Sequence, residues 1–226
     1  MIFEFFIISK KIKGHITNIF INKHDKILDL GCGNNPNYHK NIKGKIICFD
    51  KVKTKITHAV GDADKLPFKN NSFDKIISIN SFYYFKNPFA SINEIKRVLK
   101  HNGKFVLVLP FIYPIHDAPY DKYRFTEYGL REILSGFIIK DIKAIGGIFN
   151  LPTVLIHSLI KGLPLIAPKY LKGIAKFFSV VLFYPFYVAA QIFSLLDFLD
   201  ITKRWPTYYF VVAVNAFPPI KDWRKF

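Results

Sequence analysis

Ile27-Leu28-Asp29-Leu30-Gly31-Cys32-Gly33-Asn34-Asn35-Pro36 reads as a buried strand that runs directly into a glycine turn. Ile27, Leu28 and Leu30 supply the apolar run, and Gly31 and Gly33 let the backbone turn tightly beneath a ligand. Asn35-Pro36 fits a helix N-cap followed by proline at the first helical position. A helix starting there aims backbone N–H groups at whatever binds, which is how α/β proteins hold nucleotides.

The glycine spacing begins as G-x-G-x-x-G but puts Pro36 where the third glycine belongs. Proline there removes an N–H and adds a ring, which a pyrophosphate does not tolerate. S-adenosylmethionine has no phosphate and presents an amino-acid end plus adenosine. Asp29, just before the glycines, suits a cationic amino group better than a phosphate. Asp50 ends a second apolar stretch, Ile46-Ile47-Cys48-Phe49, and is placed to accept hydrogen bonds from ribose hydroxyls. The plainer reading of both acids is strand-end capping.

At this point the chain resembles the class I S-adenosylmethionine-dependent methyltransferases, specifically the type 11 group, over about residues 26–134. The matching segments are Ile27 to Gly33, Gly61-Asp62-Ala63-Asp64-Lys65-Leu66-Pro67-Phe68, Ser72-Phe73-Asp74, and Glu94-Ile95-Lys96-Arg97-Val98-Leu99-Lys100 before Gly103. The resemblance implies an α/β Rossmann-like methyltransferase fold, with a mostly parallel seven-stranded sheet and helices on both faces. It implies S-adenosyl-L-methionine as cofactor, with Asp62 and Ala63 beside the adenine. The expected cofactor contacts are Asp29, Gly31, Cys32, Gly33, Asp50, Asp62, Ala63 and Asn80. Two departures stand out: Asn35 occupies a position that is often small in the family, and Asn80-Ser81-Phe82-Tyr83-Tyr84-Phe85 replaces a short acidic or histidine-containing motif. Tyr83 and Tyr84 are placed to wall an apolar acceptor, or equally to serve as core.

Composition narrows the class. At 226 residues, half of them apolar, the chain suits one domain with an ample core. Its two cysteines, Cys32 and Cys48, suggest neither a disulfide framework nor a zinc site and read as small buried side chains, so no metal is expected. The formal charge of +17 comes from 28 lysines and only five arginines. Abundant Lys, Ile, Asn, Phe and Tyr share A/T-rich codons, and no arginine cluster exists to read phosphates or bases, so no nucleic acid is expected. Lysines still suit an anionic lipid surface.

Strands are predicted at about 26–30, 45–49, 57–60, 74–79, 103–109, 137–145 and 207–215. Residues 2–24 place apolar Ile2, Phe3, Phe5, Phe6, Ile7 and Ile8 before their basic residues, the reverse of a secretory signal, which predicts a leading helix and a cytoplasmic protein. Asn87-Pro88 opens a helix with a predicted buried face of Phe89, Ile92, Ile95 and Leu99, closed by Asn102-Gly103. Such alternation implies parallel pairing with ligands at the carboxyl ends of the strands.

Residues 110–128 lie just past the fifth strand, where this topology places the acceptor. Methyl transfer from a sulfonium needs proximity and orientation, and a general base only if the nucleophile must lose a proton. His116 is the first candidate base because its ordinary pKa lies nearest neutrality, with Asp117 or Asp121 holding the imidazole. Tyr84, Tyr120, Tyr123 and Arg124 are the candidate substrate contacts. The plainer alternative is a loop stitched together by turns and an Arg124 to Asp121 pair. Thr126 reads as an N-cap.

The predicted division is residues 1–146 plus 207–226 as methyltransferase domain and 147–206 as an apolar helical insertion before the last strand. Phe177 to Leu196 is 20 residues without a formal charge, long enough to span a bilayer. Spanning is disfavoured, because both flanking strands belong to one sheet, and a hairpin would carry Lys169, Lys172 and Lys176 outward against the positive-inside tendency. An interfacial helix fits better, with Tyr184, Tyr187, Gln191 and Ser194 as a weakly polar stripe. Two function classes therefore compete. One is a methyltransferase peripheral on the inner membrane face, docked on anionic lipid through 147–206 and acting on a lipid-linked, isoprenoid or glycan-related acceptor. The other acts on a soluble small molecule, with the insertion as substrate cap or homodimer surface. A non-catalytic cofactor-binding relative is a third reading.

Overall fold

The computed structural model describes residues 6–216. The expectations for Ile2, Phe3 and Phe5, and for residues 217–226, lie outside the described residues. Seven strands are present: β1 (Lys26–Leu30), β2 (Lys45–Asp50), β3 (Ala59–Val60), β4 (Phe73–Ile79), β5 (Leu99–Pro110), β6 (Ile138–Ile145) and β7 (Tyr208–Val214). The helices are α1 (Phe6–Ile19), α2 (Pro88–Val98), α3 (Glu127–Ile133), α4 (Leu151–Ile166) and α5 (Lys172–Phe193).

The strands form one sheet in the order β3-β2-β1-β4-β5-β7-β6, with β1 to β5 parallel. β7 runs against β5: the Asn215 N–H, just past its end, donates to Gly103 O near the start of β5. Ile27, Leu28, Leu30, Ile76, Ile77 and Phe105 to Leu109 are wholly buried, the near-continuous apolar runs expected of parallel strands covered on both faces. Chain direction across the sheet reverses between β1 and β4, so their carboxyl ends form the crevice in which this architecture holds ligands. The glycine turn follows one of these strands and Asn80-Ser81 the other.

Two local expectations fail for physical reasons. No α-helix follows the glycine turn: Asn37–Asn41 forms a single 3-10 turn, and Pro36 precedes it without a side-chain capping bond. Asn, Tyr and His are indifferent helix formers, and Tyr38 and His39 are committed to Asp29 instead. Helix α2 opens as predicted, with Asn87 Oδ1 accepting the Ala90 N–H at 3.0 Å. Its buried stripe is Ser91, Ile92, Ile95 and Val98, whereas Phe89 is 62% exposed because it sits about 100° around the helix from Pro88. The helix also stops at Val98 rather than at Asn102-Gly103, because Leu99 already pairs with Phe73 in the sheet. Asn215 takes the capping role from outside: its Nδ2 lies 3.1 and 2.8 Å from the carbonyl oxygens of Lys96 and Leu99.

The chain divides into two compact units. One contains residues 13–111, 116–143 and 209–216, and so most of the sheet. The other contains residues 6–12, Ile112–Ile115 and Ala144–Tyr208. Within the latter, α4 and α5 pack as an antiparallel hairpin. Phe149 meets Phe193 at 5.3 Å between ring centroids, His157 meets Tyr187 at 6.2 Å, and Ser179 Oγ donates to Ile160 O. At its root, Asp200 accepts the Ile148 and Lys203 N–H groups, and Asn150 Nδ2 donates to Thr207 Oγ1.

The hairpin buries a mixed face, Val154, Ile160 and Ala190 beside Thr153, His157 and Ser179, and is largely apolar outside. Of the expected surface stripe, Tyr187 and Ser194 are buried and only Tyr184 is well exposed, so this stripe is not a water-facing side. Small and weakly polar residues, Ser179, Ala190 and Ser194, let the helices approach closely. The bulky residues Phe177, Phe178, Leu182, Phe186 and Ile192 are displaced outward, each at least 60% exposed.

Candidate functional site

The two turn glycines do different work. Both have positive φ, +80° at Gly31 and +62° at Gly33. A Cβ on Gly31 would lie 2.3 Å from Ser81 Cβ, so this glycine lets the β1 and β4 turns touch. Ser81 is locked there, its Oγ donating to Leu30 O at 2.8 Å and paired with Ser78 Oγ at 2.7 Å. A Cβ on Gly33 would meet no atom within 4 Å. Asp50 organises the same turn: its Oδ2 accepts the Gly33 N–H at 2.8 Å and its Oδ1 the Val52 N–H at 3.0 Å. Each oxygen keeps acceptor capacity for a further donor. Asp62 is half exposed and paired with Lys51 at 3.1 Å, Ala63 is half-buried beside it, and Asn80 is exposed in a left-handed conformation at the end of β4.

Asp29 is not open to a ligand ammonium as expected. Its side chain is fully buried, the Tyr38 hydroxyl lies 2.9 and 2.8 Å from its two oxygens, and His39 Nε2 is 2.6 Å from Oδ2. Burial pushes the Asp29 carboxyl up, opposed by the His39 and Tyr38 hydrogen bonds. Burial, then the Asp29 charge, push the Cys32 thiol up to about 12, and Cys48 also shifts upward by burial. Both cysteines are therefore protonated, buried side chains. The donor atoms of Asp29, His39 and Cys48 lie within 4.8 Å of one another, but Tyr38 and His39 already engage the carboxylate.

The loop after β5 builds a connected chain of polar groups. Asp121, with its side chain 1% exposed, is held by Arg124 Nη2 at 2.7 Å, and this guanidinium keeps its carboxyl below the ordinary range. Its Oδ2 also lies 3.2 Å from His116 Nδ1 and accepts the His116 N–H. With Nδ1 protonated toward Asp121, the assignment this network favours, the His116 lone pair sits on Nε2. That atom is 3.1 Å from the Tyr83 hydroxyl and 2.9 Å from that of Tyr84, which donates to Asp117. Both tyrosines are pushed up, chiefly by burial, and remain phenols. The structure thus gathers His116, Asp117, Asp121, Tyr84 and Arg124, with Arg124 over the Tyr83 ring at 5.4 Å. It leaves Tyr120 65% exposed and stacks Tyr123 on Phe125. Thr126 accepts the Gly129 N–H as an N-cap.

Sequence reasoning missed four contributors. Tyr38 and His39 lie in a stretch read as helix. Glu94 and Arg97 stood in a family segment without an assigned role. Glu94 accepts the Leu66 N–H at 2.7 Å, while Arg97 grips Glu94 with two nitrogens and reaches the carbonyls of Leu66 and Phe68. Together they pin the segment after Asp62-Ala63 to α2.

Comparison with known proteins gives a consistent answer. Residues 28–107 match the family model described as a methyltransferase domain. An uncharacterized Methanocaldococcus jannaschii protein, MJ1252, is 37% identical over 98 residues, covering 40% of this chain and 39% of that relative. A Coxiella burnetii ubiquinone/menaquinone biosynthesis C-methyltransferase, UbiE, is 40% identical over 67 residues, covering 28% of this chain and 26% of the relative. The chain thus spans well under half the length of these curated relatives. The crystal structure of a Bacillus halodurans protein described as a putative methyltransferase shares the fold at TM-score 0.55 and 17% identity, covering 90% of this chain and 98% of that one.

Proposed function

We infer the reaction from one premise: residues 28–107 carry a class I methyltransferase domain of the type 11 group, whose methyl donor is S-adenosyl-L-methionine. The residues that would hold the donor are Gly31, Cys32, Gly33, Asp50, Asp62, Ala63 and Asn80. They fit it, since the space above Gly33 is open and Asp50 keeps acceptor capacity beside it. The bound donor supplies an electrophilic methyl group. His116 Nε2 takes the proton of the acceptor nucleophile, Asp121 fixes the imidazole, and Arg124 fixes Asp121. Tyr84 and Asp117 orient the acceptor.

The acceptor in this reading is an apolar, lipid-linked or isoprenoid molecule met at the cytoplasmic membrane face, with glycan-related carriers in the same class. The observation that carries it is the outward apolar surface of α4 and α5. Within the stretches 148–166 and 169–199, 18-residue segments have mean hydropathies of 1.3 and 1.7, with only 28% and 22% of each segment buried. Exposed apolar surface gathered on one element marks a contact with a protein or a membrane. Lys161, Lys169, Lys172 and Lys176 lie on it as headgroup partners. The quinone-biosynthesis role named for the Coxiella burnetii relative points to an acceptor of the same kind. Flotation of the intact chain with phosphatidylglycerol-containing vesicles tests this, alongside methyl transfer to a lipid extract. Co-flotation with labelled lipid product is expected. A detergent-free monodisperse protein that ignores vesicles would overturn the membrane reading, and a stable dimer in that state would assign the face to self-association.

A further inference from the structure

The interior of the hairpin is unusual for helices whose exterior is so apolar. Thr153 and His157 stand one turn apart on α4, and Tyr187 and Gln191 one turn apart on α5. The Phe149–Phe193 and His157–Tyr187 contacts set an antiparallel register that places Thr153 level with Gln191. Thr153, His157 and Tyr187 are buried, at 0%, 3% and 5% exposure. The Tyr113 hydroxyl, three residues past the end of β5, joins the seam at 3.3 Å from His157 Nε2.

This seam is polar, neutral and incompletely satisfied. Thr153 Oγ1 and both polar atoms of the Gln191 amide are buried without a hydrogen-bond partner among the described residues. A buried polar group left unsatisfied destabilises the fold, so helix pairing alone would favour alanine or leucine at these positions. Burial pushes His157 down to about 4, with the nearby Lys161 charge acting in the same direction, so the imidazole is neutral at physiological pH. Thr, Gln, Tyr and neutral His offer donors and acceptors but no charge. A phosphate or carboxylate would find no cation among them, whereas a hydroxyl or carbonyl oxygen finds both kinds of partner. Toward the other end of the hairpin, Leu163, Ala175, Phe178, Ser179, Leu182 and Phe183 line a mostly apolar, open pocket of about 450 Å³.

We propose that the α4–α5 hairpin holds a membrane amphiphile of the acceptor's class, with its neutral hydroxyl or carbonyl headgroup on Thr153, His157 and Gln191 and its apolar chain directed toward the pocket at Phe178. This rests on the reading of an apolar acceptor and narrows it from lipid-linked molecules in general to those with an uncharged oxygen headgroup. The exposed lysines engage bilayer phosphates and are not part of this seam.

The test uses the intact chain in phosphatidylcholine nanodiscs, titrated with a prenylated phenol and with the prenyl monophosphate of equal chain length. The phenol binds at least tenfold more tightly than the phosphate. Thr153→Val combined with Gln191→Leu removes at least tenfold of the phenol affinity while leaving S-adenosylhomocysteine affinity and vesicle flotation unchanged. Thr153→Ser, which keeps the hydroxyl, retains binding and serves where the double variant folds poorly. Equal affinity for both probes overturns the proposal, and so does phenol binding indifferent to the double variant, which would leave the seam a water site only. A chain that fails to float on vesicles yet shows variant-sensitive phenol binding removes the membrane reading and keeps this one. The reverse pattern removes this one alone.

Discussion

Substituting alanine for each glycine of the turn should give two unlike proteins. Gly33 has φ +62°, inside the left-handed region that other residues enter at a cost of about 1–2 kcal/mol, and nothing crowds its Cβ position. Gly33→Ala therefore folds, with a Tm lower by about 2–8 °C for a chain of this size, but its methyl group occupies the space open to the cofactor. Gly31→Ala carries a similar backbone cost and sets its Cβ 2.3 Å from Ser81 Cβ and 2.5 Å from Ser81 Oγ. Ser81 must move, abandoning its bonds to Leu30 O and Ser78 Oγ, each worth about 1–3 kcal/mol when buried groups are orphaned. The sum is about 3–8 kcal/mol, or roughly 6–32 °C in Tm. Scanning fluorimetry with calorimetric titration of S-adenosylhomocysteine reads both effects. Gly31→Ala paired with Ser81→Gly should regain part of the lost stability, because the obstructing side chain is gone. The reasoning is refuted if Gly33→Ala binds the ligand like the parent, or if Gly31→Ala melts no lower than Gly33→Ala.

Arg97→Lys should lower Tm by at least 4 °C in thermal melts, because a single ammonium cannot serve Glu94 and the Leu66 and Phe68 carbonyls together. Asp121, held below the ordinary carboxylate range by Arg124, contributes stability that is fully present above its unfolded pKa of about 4 and is lost as pH falls through the lower folded value. The urea midpoints of the parent and Asp121→Asn should therefore differ most at neutral pH and converge below about pH 4; a gap that widens on acidification contradicts the pairing. Replacing Lys169, Lys172 and Lys176 together by Gln should weaken binding to anionic vesicles by about 100-fold, at about 1 kcal/mol per lysine near the surface, with little change on neutral vesicles. Asp50→Ala should weaken S-adenosylhomocysteine binding by tenfold or more in calorimetry, since it frees the Gly33 N–H and removes the acceptor beside the open space.

Much of the sheet was legible because parallel strands covered on both faces announce themselves as apolar runs, as in Ile27 to Leu30 and Phe105 to Leu109. Asn87-Pro88 and Thr126 were legible for a different reason: N-caps are local chemistry, set within three residues. Reading failed where distant partners overrule local preference. Asn35-Pro36 carried a helix-start signal that Tyr38 and His39 override by turning to Asp29. The Asn102-Gly103 stop was superseded by Asn215, 113 positions beyond Asn102. The stripe from Tyr184 to Ser194 was recognised as a periodic feature, but periodicity alone does not say which side of a helix meets its neighbour. At the candidate site, the pairing of Asp121 with both His116 and Arg124 fell within nine residues and was readable. The approach of Tyr83 and Tyr84 from the end of another strand was not.

The strand order also dictates what happens while the chain is being made. Among the described strands β6 pairs with β7 alone, and β7 is separated from it in the chain by both apolar helices. A ribosome therefore delivers Leu151 to Phe193 while β6 still lacks its partner and while Asn215, which closes the end of α2, has not been synthesised. For that interval the nascent chain presents its most apolar segment beside an unfinished sheet, the condition in which such chains aggregate. A bilayer or a chaperone that receives the hairpin as it emerges would shield it until β7 arrives.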